Sequence, residues 1–160
     1  APRYQEIPEA DSPTVERDGV WARVIAGECL GVTSSIDTVI PISLIHVKME
    51  EGAVLNQTIA SGLNGMIYVF SGSIRVNDQL SVRKQPMPFG IGIKQQVSDG
   101  ELALLSDGET VEITCDSPCD LLILAGPEID EPIARYGPFV MNTREEIHQA
   151  VIDYQNGTFA

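Results

Sequence analysis

The chain has 160 residues, 43% of them hydrophobic, which suffices for one domain with a genuine core. Its 23 acidic against 10 basic side chains leave a net charge of −13, a field that repels phosphate backbones and anionic bilayers and argues against direct nucleic-acid or membrane binding. No apolar run approaches the ~20 residues that span a bilayer, and no charged-then-apolar leader opens the sequence.

Residues 1–19 are rich in proline and acid (Pro2, Pro8, Pro13, Glu6, Glu9, Asp11, Glu16, Asp18) and read as an extended arm or linker. Val20–Ile25 is the first predicted strand, stopped by Gly27. A long β-prone run follows from Thr38 to Met49, with apolar residues on both parities, which implies cover on both faces or a bulge. Val54–Ile59 and Gly65–Phe70 are predicted strands, and Ser71-Gly72 is read as the turn of a hairpin into Ser73–Val76. Further strands are expected around Phe89–Ile93, Leu102–Leu105, Thr110–Thr114 and Asp120–Leu124, with turns at Asp99-Gly100 and Asp107-Gly108. Many short strands at close spacing predict an all-β closed antiparallel barrel or jelly roll, here over residues 20–136.

Residues 137–160 change character. Gly137-Pro138-Phe139-Val140-Met141-Asn142 leads to Thr143 and Glu146, a capping box in which the hydroxyl accepts from the amide three residues on and the carboxylate reaches back. Ile147, Ala150, Val151 and Tyr154 then recur at helical spacing, and Gly157 supplies a left-handed stop. One amphipathic helix therefore follows the barrel.

Chemistry-bearing residues are sparse. The two histidines, His46 in a strand and His148 in the helix, read as ordinary satisfied or surface imidazoles. With so few, a centre of three histidines and a carboxylate cannot be assembled. Cys29, Cys115 and Cys119 suit a reducing compartment. The last two would face each other across a turn at Asp116-Ser117-Pro118, but their spacing is not that of redox or zinc motifs, so free thiols near a hairpin are expected. The acidic turns at Asp99–Glu101 and Asp107–Glu109 are read as solvated turns rather than paired catalytic carboxylates. Ser43, Ser61 and Ser73 lack a histidine partner, and Pro86-Met87-Pro88-Phe89 is read as a loop wedge.

Several stretches nevertheless carry a specific likeness. Glu131-Pro132-Ile133, Tyr136-Gly137-Pro138-Phe139-Val140-Met141-Asn142-Thr143 and the helix from Glu145 to Gly157 closely resemble the end of pirin proteins. Pro2–Glu6, Val24–Glu28, Leu30-Gly31, Glu51–Ala53, Ile67-Tyr68 and Ser71-Gly72 follow the same pattern, so the likeness covers nearly the whole chain. Pirins are two-cupin proteins, and the resemblance is to the second cupin. It implies a cupin barrel whose parent carries iron in an N-terminal cupin, through three histidines and a glutamate. It also implies a parent with quercetin-dioxygenase-like activity, and a role in transcriptional co-regulation or, in bacteria, in regulating metabolic enzymes. Cytoplasmic or nuclear placement follows.

The cupin motif itself departs from that pattern. Anchored on Gly52 and Gly72, its ligand slots fall on Thr58, Ala60 and Gly65. The second motif falls on Glu112 and Thr114, or on Ala103 if anchored on Gly92 and Gly100. The expectation is a metal-free module with no cofactor of its own, partnered by an N-terminal cupin that this chain, beginning Ala1-Pro2, does not include. Other protein partners or self-association are compatible with it. Gly137, Pro138, Phe139, Val140, Met141, Asn142, Thr143, Ile147, Val151 and Tyr154 are the candidate interface or tail-docking residues. The rival is a free-standing degenerate cupin that binds or oxidises a flavonol-like compound in an apolar barrel pocket.

Overall fold

The computed structural model describes Glu6 and residues 8–76, 96–106 and 108–159. The expected strand at Phe89–Ile93, the Pro86–Phe89 wedge, Pro2–Tyr4, Asp107 and the alternative anchor Gly92 lie outside them. The chain divides into two compact units, at Ala1–Pro127 and Glu128–Ala160.

The first unit is all antiparallel β. Its strands are β1 (Thr14–Arg17), β2 (Val20–Ala26), β3 (Glu28–Cys29), β4 (Val32–Thr33), β5 (Ser43–Met49), β6 (Val54–Thr58), β7 (Asn64–Val76), β8 (Gln96–Ser98), β9 (Leu102–Leu104) and β10 (Thr110–Gly126). They pair in the order β1-β2-β5-β10-β7-β8, with β6 beside β10 and β9 beside β7, while β3 and β4 form a separate small ribbon. This is the all-β jelly roll that the strand spacing anticipates, and it accords with the cupin barrel that the resemblance implies.

Three local readings change. The acidic arm ends in a real edge strand, because Asp18 (φ +52°) and Gly19 (φ +74°) both adopt the left-handed conformation and fold β1 onto β2 as a hairpin. The β-prone run from Thr38 begins its strand only at Ser43, and Val39 stands 97% exposed. The third change is the largest: Ser71-Gly72 and Asp116–Pro118 are not reversals. β7 runs through Gly72 for 13 residues, and β10 runs through Asp116–Pro118 for 17.

The two long strands lie side by side with register shifts between Cys115, Ser117, Asp120 and Leu121. Gly72 uses its positive φ of +79° to bulge rather than to turn. The first half of β10 pairs with β6, the second half with β5, and β7 accompanies both.

Strand alternation places the core. Val20, Ala22 and Val24 of β2, Ile45 and Val47 of β5, Ile67 and Val69 of β7, and Leu121 and Ile123 of β10 all point inward with at most 1% exposure. Each such Val, Leu or Ile contributes roughly 1.5–3 kcal/mol relative to an exposed position.

The second unit holds β11 (Ala134–Tyr136), β12 (Phe139–Met141) and α1 (Arg144–Asn156). Tyr136 pairs with Phe139 across the Gly137-Pro138 connection. The helix begins and ends as local chemistry dictates. Thr143 Oγ1 accepts from the Glu146 amide, the Glu146 carboxylate accepts from the Thr143 amide, and Gly157 closes the helix at φ +69°.

Candidate functional site

The barrel's inner wall is where a cupin would hold a ligand. Along β6 the buried positions are Leu55 and Gln57, followed by Ile59, whereas Thr58 and Ala60 are exposed. Two of the slots assigned by motif spacing therefore lie on the outward parity of this stretch: side chains alternate along a strand, and the inward parity here is odd. Glu112 and Thr114 sit opposite Asn56 and Val54 on the half-covered face of β10, while Val111 and Ile113 take its inward positions.

Gly65 is buried, and a Cβ added there would come within 2.9 Å of Leu105 Cδ1, so the space beside it is filled by apolar side chain. Ala103 opposes Ile67 from β9. Gln57 is the buried polar residue of this wall, at 4% exposure. Its Nε2 donates to the Glu28 and Thr58 carbonyls, each at 2.9 Å, which ties β6 to the β3 ribbon. Among the described residues, no group of three or more His, Cys, Asp or Glu converges as a metal-ligand set.

The opposite face of the sheet carries the barrel's histidine. His46 Nε2 lies 2.6 Å from Asp120 Oδ1, with Trp21 edge-on at 5.4 Å and Phe70 at 6.4 Å. Strand pairing explains the meeting, since Trp21, Lys48 and Asp120 are register partners one row from His46. Arg23 and Lys48 stack over the Trp21 ring, at 5.5 and 5.4 Å. The imidazole is therefore satisfied, as its sequence context suggested. At the turn after β8, Glu101 accepts from the Ser98 amide, which gives that acidic residue a structural task.

The tail residues gather in the second unit. Phe139 packs against Tyr154 and Phe159, with ring centroids 5.8 and 5.4 Å apart. Ile147 and Ala150 are the helix's buried residues. Asn142 donates to Glu131, and its amide and that of Thr143 both reach Glu146. The Thr143 hydroxyl and amide hold the Glu146 carboxyl below its ordinary range.

Beside this cluster lies a groove of about 840 Å³ whose walls include Ile133, Tyr136, Ile147 and Val151, with Arg135, Arg144 and His148 at its rim. Of the expected interface set, Asn142, Ile147 and Val151 line this groove, Phe139 and Tyr154 form the aromatic contact, and Pro138 and Val140 are exposed beyond it. The cationic rim was not legible from composition, because the net acidity of the chain masks its few arginines.

Comparison with known proteins agrees with this architecture. Residues 44–160 match the family described as the Pirin C-terminal cupin domain. Mouse pirin is 33% identical over 158 residues, 98% of this chain and 50% of that protein. The pirin-like protein of Solanum lycopersicum is 32% identical over 158 residues, again about half of its length. The crystal structure of a quercetin 2,3-dioxygenase from Acinetobacter baumannii superposes with a TM-score of 0.81 at 28% identity, over 99% of this chain and 51% of that one. The chain thus spans about half the length of the relatives it matches. With its jelly roll, its Gly-Pro hairpin and its capped terminal helix, this chain belongs to the pirin family, and residues 44–160 are a pirin C-terminal cupin domain.

Proposed function

We propose that this chain is the metal-free half of a two-cupin protein and serves as a structural and protein-docking module beside an iron-binding N-terminal cupin. The observation that carries the reading is the distribution of apolar side chains. Ile129, Ile133, Tyr136, Val140, Ile152, Tyr154 and Phe159, seven of the twelve exposed large hydrophobics among the described residues, fall within residues 128–160. Exposed apolar side chains gathered in one short segment mark a contact surface rather than random scatter.

The inner wall supports the other half of the reading. Iron in a cupin asks for imidazoles and a carboxylate, and the buried side chains among the described barrel residues are aliphatic groups, thiols, a thioether and one amide. That donor set does not fit the family's iron, so no redox step is assigned to this barrel. A companion domain of comparable size is in keeping with relatives twice as long as this chain. On the same reading, the dioxygenase-like chemistry and any regulatory role belong to the whole protein, working in the cytoplasm or nucleus through protein contacts.

The test is iron(II) binding to the folded, purified chain by equilibrium dialysis under anaerobic conditions. The expected result is far less than one iron per chain at micromolar metal. One tightly held iron per chain would overturn the proposal.

A further inference from the structure

Cys115 and Cys119 bracket the irregular segment of β10. Four residues of regular strand span roughly 13 Å, yet the two Sγ atoms lie 3.5 Å apart. The register shifts through Ser117 and Asp120 bulge the strand here, and the bulge accompanies the close approach of the two thiols. Cys115 Sγ also lies 2.9 Å from the Ser117 carbonyl and 3.5 Å from the Met49 carbonyl. The bulge is closely packed. A Cβ on Gly72 would fall 2.2 Å from the Pro118 carbonyl and 2.9 Å from the Cys119 Cα.

One member of the pair also borders a cavity. Cys119 lines a cavity of about 400 Å³ shared with Trp21, Ser71 and Pro118. The cavity's charged groups are the carboxylates of Glu16, Glu50 and Asp120 and the ammonium of Lys48. All three cysteines are buried, but Cys29 does not line this cavity.

We propose that Cys115 and Cys119 form a reversible dithiol–disulfide site, oxidised by a small cationic or neutral disulfide that enters through this cavity. The Cys119 thiolate attacks one sulfur of the incoming R–S–S–R, forming a mixed disulfide and expelling RS⁻, which takes up the proton that Cys119 gave away. Cys115, on losing its own proton, attacks the Cys119 sulfur and expels the second RS⁻, which is protonated in turn. Two protein thiols become one disulfide, and the reagent becomes two thiols; the two electrons pass from the protein sulfurs to the reagent.

Closing the bond requires the sulfurs to approach from 3.5 Å to about 2.0 Å. Burial, followed by the neighbouring Cys115, pushes the Cys119 thiol up to about 12, so exchange is slow at neutral pH and quickens as the solution is made alkaline. Three carboxylates against one ammonium disfavour anionic disulfides. Cationic cystamine is therefore expected to react faster than anionic oxidised glutathione by roughly tenfold or more at low salt.

The experiment treats the native chain with each reagent at pH 8.5, followed by intact mass and tryptic mapping. Residues 95–135 contain no Lys or Arg before Arg135, so one tryptic peptide holds both thiols and excludes Cys29. The expected product of cystamine treatment is that peptide lacking two hydrogens, restored by dithiothreitol, with Cys29 still free to be alkylated after denaturation. C115S, checked for folding by circular dichroism, is expected to retain one cysteamine on Cys119, because nothing remains to displace it. C29S is expected to close its disulfide like the parent. A native chain that stops at a cysteamine adduct, or that reacts only at Cys29 or only after unfolding, overturns the proposal. Equal rates with cystamine and oxidised glutathione overturn the assignment of the cavity as the route of entry.

Discussion

The barrel and the tail meet the same problem, how to remove apolar surface from water, in opposite ways. The barrel closes its sheet around Ile45, Val47, Ile67, Val69, Leu121 and Ile123, each at 0% exposure. The tail buries Ile147 and Ala150 on its helix and leaves Tyr136 at 67% and Tyr154 at 68% exposure. A unit of 33 residues, Glu128–Ala160, is below the size at which a chain commonly sustains a core unaided. The difference teaches that the two parts draw stability from different sources. The barrel is held by long-range strand pairing, and the tail by local devices that depend on cap, turn and aromatic contact.

That contrast can be broken in stages. Leu121→Ala, which opens a cavity in a fully buried position, is expected to cost about 2–5 kcal/mol in urea unfolding; a loss below 1 kcal/mol would mean that the barrel is not the close-packed half. Gly72→Ala places a Cβ against the Pro118 carbonyl at positive φ and is expected to cost about 2–3 kcal/mol. Its native backbone amides in β7 and β10 should lose hydrogen-exchange protection together.

Thr143→Ala removes the helix N-cap and is expected to cost about 1 kcal/mol, read as lost helicity with the β signal unchanged. A cooperative loss of both signals would merge the two sources into one. The same cap sets a pH dependence. The folded Glu146 carboxyl lies below its ordinary value of 4.5, so the unfolded chain binds the proton more readily. The cap's contribution is therefore present above that range and fades as pH falls through it. T143A should flatten this part of the acid titration, as seen by helical ellipticity. Least of all, Ile133→Ser with Tyr136→Ser, both exposed groove residues, should move stability by only about 0.5 kcal/mol, yet reduce the fluorescence of an anionic apolar dye offered to the Arg135–Arg144 groove. Unchanged fluorescence would remove the tail's claim to be a contact surface.

Legibility from sequence followed the same division. The capping box at Thr143 and Glu146 and the stop at Gly157 were readable because the interaction spans only a few residues and depends on residue type. The signature from Tyr136 to Thr143 was readable as a whole-family likeness. Ser71-Gly72 and Asp116–Pro118 were misread as hairpins because their composition is that of turns. What keeps each strand going is its neighbour: Ser73 and Ser117 meet across the bulge with their hydroxyls 3.0 Å apart, a fact no local window contains. The outward placement of Thr58 and Ala60 has a related cause. Motif spacing counts residues, whereas the wall of a barrel is set by parity, and parity put Gln57 and Ile59 inside where the count chose Thr58 and Ala60. Asp18-Gly19 was the opposite case, a strong local hairpin signal overlooked because the surrounding acidity suggested a linker.

The bulge in β10 bears on how this chain can change in length. Cys115 and Cys119 both face the interior, so the segment between them preserves the phase of the strand on either side. Removing one residue from Asp116–Pro118 would invert everything downstream, sending Leu121, Ile123 and Ala125 into water and turning Asp120 toward the core, away from His46. Insertions and deletions at this point are therefore tolerable only in pairs, and a loop-like stretch of sequence is among the least editable in the molecule.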